Sequence, residues 1–347
     1  MQALNKWGGA VQIAAVYIGT VIGAGFATGK EITVFFTQFG LYGLLAICLS
    51  GFLFIFFGTK MMEKAIDLHA DSYETLNRYL FGKKAAGFVN VMMMAMLFGV
   101  CGVMLSGAGA VFEEQLRVGR GTGILLTVLL AFFVMCFGIK GLLGVNTFVV
   151  PLMLLFNFLL LSQSVQSPGF FQALMARPES VDMPRALLRA LSYAALNLAL
   201  AQAVLVPVAA EVKDKEVVRA GGILGGLFLT LILISSHLSL VTLPDVAQVE
   251  IPMAHIVKAS FPGIYFIYVL LIFGEIFTSI IGDAYGLERQ MQKYIPMKSG
   301  LLYGLIFSAI LLISSLHYGP LLSVLYPLFG YFSLVFMMAL GIKTIRG

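Results

Sequence analysis

Charge is what this sequence has least of. Asp, Glu, Lys and Arg make up 11% of its 347 residues, against about 25% in an ordinary soluble protein. A soluble globular domain is excluded on that ground. Histidine and cysteine are also scarce, which removes further classes. The four histidines, His69, His237, His255 and His317, are scattered and match no metal-ligand spacing. No nucleophile–base pair accompanies them, so nothing points to an enzyme. The three cysteines, Cys48, Cys101 and Cys136, all fall in apolar runs. They are expected to be small buried hydrophobes and offer no disulfide framework. Tryptophan occurs once, as Trp7, so an aromatic cage for a quaternary ammonium would rest on Phe and Tyr, which hold cations less well. The N-terminus lacks a basic n-region and a small-residue cleavage site, and the first apolar run is expected to remain in the protein.

What is abundant is apolar sequence, 60% of the chain. It comes as continuous runs of about 20 residues, the length that crosses a hydrocarbon core. Continuous runs exclude a β-barrel, whose strands alternate. Ten runs are predicted, at roughly 8–37, 41–61, 86–112, 121–139, 142–163, 187–211, 217–241, 262–289, 299–316 and 319–342. The loop from Lys60 to Lys84 is expected to carry a short helix around Asp71–Leu80. Between the seventh and eighth runs, Pro244, Pro252 and Pro262 divide one or two short amphipathic helices. With the N-terminus inside, 15 of the 22 Lys and Arg fall on the inner side, 6 on the outer, and Lys30 within a run. That asymmetry supports an even number of spans with both ends in the cytoplasm of a bacterial cell. It also accounts for the net charge of +5 without nucleic acid as a partner. The sequence carries no signal for oligomeric state.

The first run holds the most unusual stretch, GTVIGAGFATGKEI, from Gly19 to Ile32. Gly19 with Gly23, and Gly25 with Gly29, fit close helix packing. Packing leaves Lys30 and Glu31 at membrane depth unexplained, whereas a broken helix explains glycines and charges together. Glycine lowers the cost of leaving helical geometry, and an unwound segment frees backbone groups that need partners. N–H groups near Phe26–Gly29 would seat a carboxylate, and carbonyls from Gly19 to Ile22 would face a cation. Transporters with such helices are built as inverted repeats. Ten runs divide into five and five, about 8–163 and 187–342 within a single domain of 347 residues. The sixth run should then break too, near Asn197–Ala203, with Gln202 at mid-depth and Pro207 beyond.

IGAGFATGKEI resembles the first helix of the amino acid–polyamine–organocation superfamily, with its Gly23-Ala24-Gly25 motif. GAGFATGKEITVFF looks closer still to the bacterial membrane proteins called YkvI-like, and the resemblance covers the whole pattern of runs. It implies an all-α, ten-span protein of the leucine-transporter type with helices 1 and 6 discontinuous. It implies a secondary transporter of a small amino acid or amine, with Na⁺ as coupling ion and no organic cofactor. The substrate would lie against Gly23, Ala24, Gly25, Phe26, Phe98, Asn197 and Gln202. Laid on this sequence, the family's sodium site uses the carbonyls of Gly19, Ile22 and Glu275 and the hydroxyls of Thr278 and Ser279. Proton-coupled relatives often carry a lysine in the fifth span, and this run has none.

Glu275 sits near the middle of the eighth run, where an ionisable group is functional by default. Proton coupling through it is the alternative to sodium, with Asp283 two turns on lining an exit. Lys30 and Glu31 are expected to face the outer vestibule as a neutralised pair or gate. A ligand-sensing subunit of the same fold, like the germinant receptors of spore formers, is the other alternative.

Overall fold

The computed structural model describes residues 2–175, 182–243, 246, 251–315 and 318–346. The first run is three helices: α1 (Gln2–Val21), α2 (Ala24–Ala27) and α3 (Lys30–Phe35). α4 (Leu41–Leu53) continues through a π-helical turn, Phe54–Gly58, into α5 (Thr59–Asp67). α6 (Tyr73–Ala110) is followed by a second π-turn, Val111–Gln115, and then α7 (Arg120–Met135), α8 (Ile139–Val165) and the short α9 (Phe170–Met175). The second half comprises α10 (Met183–Val212), α11 (Lys215–Leu240), α12 (Pro252–Ser260), α13 (Tyr265–Met291), α14 (Ser299–Ser314) and α15 (Tyr318–Arg346).

Each predicted run falls on helical structure, the first on three separate helices. Among the described residues, six segments are individually long and apolar enough to cross a membrane, and three more are shorter apolar helices. This is a multi-pass, all-helical membrane protein. The expected loop helix is Tyr73–Phe81, set off from the span by Gly82, whose φ of 75° interrupts α6. The amphipathic connection is α12 with a 3₁₀ turn at Pro262–Ile264; Pro244 lies outside the described residues, as do Arg177 and His317. Of the cysteines only Cys101 is interior, while Cys48 and Cys136 sit on outer helix faces.

α1 packs along α11, α8 and α13, and α10 packs along α4–α5, α15, α13 and α6. α6 and α13 meet each other across the centre. Both α1 and α10 are therefore enclosed, and the larger part of each is buried.

Lipid supplies no hydrophobic force between helices, so close backbone approach has to hold them. α11 does this with glycines. A Cβ at Gly221 would lie 2.6 Å from Ile13 Cγ2, and one at Gly226 would lie 2.7 Å from the backbone nitrogen of Ile55. Backbone cannot step aside as a side chain can. Gly226→Leu is therefore expected to cost at least about 1–3 kcal/mol, read as a lower unfolding temperature in detergent. Gly144→Leu, where an added Cβ meets nothing within 4 Å, should leave it unchanged.

One expectation fails. α10 is a single helix through Asn197–Ala203 and carries Pro207 inside it. The stretch has no glycine, and Asn197 turns its amide back on its own helix, Nδ2 donating to the Tyr193 carbonyl at 3.0 Å. With the polar group satisfied locally, nothing drives the helix apart.

Candidate functional site

α1 stops because Gly23 lets it stop. Ile22 and Gly23 leave helical geometry, and around them the backbone bonds run from Ile22 N to Ile18 O and from Ala27 N to Gly23 O. Among the described residues no backbone N–H donates to the carbonyls of Gly19 or Ile22. The N–H groups of Gly25 and Phe26 likewise have no acceptor among them. Gly25 and Phe26 are both buried.

The freed carbonyls meet α13. Ser279 Oγ lies 2.5 Å from the Ile22 oxygen, 3.2 Å from that of Gly19 and 3.4 Å from that of Glu275. Thr278 Oγ1 lies 2.8 Å from the Glu275 oxygen and 3.3 Å from that of Gly19. The five oxygens named from the sequence thus converge, with Thr278 1% and Ser279 2% exposed. The bond from Thr278 to Glu275 is the usual one of a mid-helix hydroxyl, but the reach to α1 is not. Each hydroxyl has one proton to donate, so two protons serve five carbonyl contacts. The clustered oxygen lone pairs make the spot electronegative. The donors are all hard, which suits an alkali or alkaline-earth cation.

The substrate candidates divide. Gly23, Gly25 and Phe26 are buried at the break; Ala24 belongs to the backbone of α2, and its side chain lies outside the described residues. The half-helix after the break is a single turn, because the chain leaves helical geometry again at Gly29, with φ of 82°. Macrodipole support for an anion is therefore less than a full half-helix would give. A second strap closes this turn: Met253 N donates to the Thr28 carbonyl at 3.0 Å.

Met104 is the α6 side chain nearest the break at Gly23. A Cβ at Gly23 would sit 2.9 Å from Met104 Sδ and 3.6 Å from Ser279 Oγ. Phe98, six residues earlier, points about 120° away around the helix. Gln202 also stands apart. It is five residues past Asn197, fully buried, and its Nε2 faces Met93 Sδ on α6 at 3.5 Å.

Glu31 does not face an outer vestibule. Gly29 resets the helix phase, so the first turn of α3 turns Glu31 inward, 4% exposed and hydrogen-bonded to the Asn197 side chain. Lys30 is half-buried. Tyr193 lies one turn before Asn197 on α10, its hydroxyl buried without a partner. Glu275 contributes its carbonyl to the oxygen cluster, and its carboxyl is buried in α13. Asp283, two turns on, is buried near Cys101 of α6. Sequence reasoning missed Met104 and, in α8, the fully buried Asn146. A polar residue inside an apolar run was the available signal for Asn146.

No family model matches the chain. It is 23% identical over 335 residues to the protein YyaD of Bacillus subtilis, covering 96% of each chain. It resembles in structure the manganese transporter of Eremococcus coleocola, with a TM-score of 0.64 and 13% identity over 95% of this chain and 74% of that one. It also resembles Mhp1, a nucleobase-cation-symport-1 family transporter solved closed on bromovinylhydantoin, with a TM-score of 0.62 and 14% identity over 91% of this chain and 74% of that one. At such identities these structures establish the fold alone, which is the leucine-transporter type. The sequence relation to the membrane protein YkvI of Bacillus subtilis is far stronger, at 47% identity over 337 residues, 97% of this chain and 96% of that one. The chain belongs to the YkvI family of membrane proteins.

Proposed function

We propose that this protein is a secondary transporter of a small amino acid or related amine, driven by Na⁺, in the bacterial cytoplasmic membrane with both termini inside. The observation that carries the reading is the convergence of the Gly19, Ile22 and Glu275 carbonyls on the Thr278 and Ser279 hydroxyls, with two hydroxyl protons shared among five contacts. A cation bound there ties the broken helix to α13. Its binding free energy then favours one arrangement of the break over another, which is what coupling requires. The substrate carboxylate would take the N–H groups of Gly25 and Phe26, next to the ion. The fold shared with solved transporters supports alternating access, and the wider amino acid–polyamine–organocation affiliation accords with the Gly23-Ala24-Gly25 break.

Manganese, the cargo named for one structural neighbour, is not carried over. Among the described residues no three His, Cys, Asp or Glu side chains gather to hold such an ion.

Glu31 and Asn197 form the contact between α3 and α10 beside the break, and we assign it to gating. Glu31→Ala releases α3 and is expected to slow uptake several-fold while leaving Na⁺ binding intact. Loss of Na⁺ binding in that variant would place Glu31 in the ion site instead.

A second reading has its own support. Glu275 and Asp283 are buried on α13, and no described side chain is found hydrogen-bonded to either carboxyl. Such groups can carry a proton in place of, or alongside, the sodium. One experiment separates the two: thermal unfolding of the purified protein against a panel of amino acids and amines, in NaCl or in choline chloride. A ligand at about 100 times its dissociation constant stabilises by about 2.7 kcal/mol. Stabilisation that requires Na⁺ supports the first reading. Stabilisation indifferent to Na⁺ but steeply dependent on pH moves the coupling to the carboxyls.

A further inference from the structure

We propose that Asn146 supplies a further oxygen to the cation at the break, and so sets its affinity. This rests on the cation reading given above and extends it from α1 and α13 to α8. Asn146 is fully buried. Its Nδ2 donates to the Leu142 carbonyl at 2.9 Å, and because a carbonyl can only accept, this fixes which end of the amide is which. The Oδ1 is thereby turned toward α1, and it has no donor among the described residues. An unpartnered buried acceptor is costly and calls for a partner.

The partner's place is indicated by Gly19. A Cβ on Gly19 would collide with Asn146 Oδ1, and the same point lies 3.4 Å from Thr278 Oγ1. Gly19 thus does two things: its carbonyl enters the oxygen cluster, and its missing side chain admits the amide oxygen beside that cluster. The other buried amide oxygens without donors among the described residues, those of Asn77, Gln202 and Gln290, lie away from the cluster: Asn77 bonds Asn90, Gln202 faces Met93, and Gln290 bonds Glu74 and Tyr294. No hydroxyl of Thr278 or Ser279 donates to Asn146, both being directed at carbonyls. A hard, neutral oxygen with no proton to meet it, placed against a cluster of five hard oxygens, has the chemistry of a cation ligand.

The test titrates NaCl into the purified full-length protein at constant ionic strength, with choline chloride as balance, and reads the unfolding temperature. Asn146→Leu removes the oxygen, and Asn146→Asp keeps it and adds charge. The half-saturating Na⁺ concentration is expected to rise about tenfold in the first and fall about tenfold in the second. Thr147→Ala, whose hydroxyl bonds Leu143 on the exposed side of α8, should match the parent. If the leucine variant fails to fold, the aspartate variant still decides. Parental half-saturation in both Asn146 variants would overturn the assignment while leaving the oxygen cluster standing. A parent protein with no response to Na⁺ would overturn the cluster reading and this one together.

Discussion

With alanine at both Thr278 and Ser279, Na⁺ is expected to lose its hold on the protein. The two hydroxyls are the only side-chain oxygens in the five-oxygen cluster, and they bridge α13 to the carbonyls of α1 at 2.5 to 3.3 Å. A hydrogen-bonding group facing a charge contributes about 1.5–3 kcal/mol, so losing two costs about 3 kcal/mol or more. Na⁺ affinity should then fall by at least about 100-fold, enough to erase Na⁺-dependent stabilisation at any practical concentration. The folded protein should survive in choline, because the freed carbonyls of Gly19 and Ile22 can take water where the hydroxyls stood. Single variants should be graded. Ser279→Ala is expected to be the worse, since only Ser279 reaches the Ile22 carbonyl. Unchanged Na⁺ dependence in the double variant would mean that the hydroxyls merely cap the break.

The second large effect is expected at Gly23. A leucine there places its Cβ against Met104 Sδ and its branches toward Ser279, within the space between the break and α6. Met104 is flexible and can retreat, so folding should suffer only by the about 1–3 kcal/mol of an overpacked site. The added side chain stays beside the break, two and three residues before the Gly25 and Phe26 N–H groups proposed to hold the substrate carboxylate. Binding of every amino-acid ligand that stabilises the parent should be lost. Ligand-induced shifts in unfolding temperature, measured beside the Gly144→Leu control, check this. A variant that keeps its ligand response would move the substrate away from the break.

Much of the architecture was legible because the membrane makes it so. Apolar runs must be helices in lipid, and each predicted run falls on helical structure. The break was legible as well, since Gly23 and Gly25 are expensive inside a helix and charges follow them at Lys30 and Glu31. What escaped was rotational phase. The left-handed Gly29 turns α3 so that Glu31 meets Asn197, and no pattern of residue types reports that angle. The same limit hid Met104, whose side chain lies against Gly23.

Helix 6 was misread for a different reason. Asn197, Gln202 and Pro207 are all residues that can interrupt a helix, yet Asn197 bonds its own backbone and the helix carries Pro207 inside. Polar residues reveal where a helix needs partners, and only the folded neighbours decide whether it finds them within itself. Asn146 is the converse case. Half of its amide is satisfied within α8 and half is not, and the unsatisfied half is visible only once Gly19 is seen beside it.

Equilibrium binding of radioactive sodium to the purified protein tests the central claim most directly. A single saturable site per chain is predicted, displaced by unlabelled Na⁺ but not by choline, and absent from the Thr278→Ala, Ser279→Ala double variant. Saturable binding that persists in the double variant, or no saturable binding in the parent, would contradict the assignment of a cation to the broken helix.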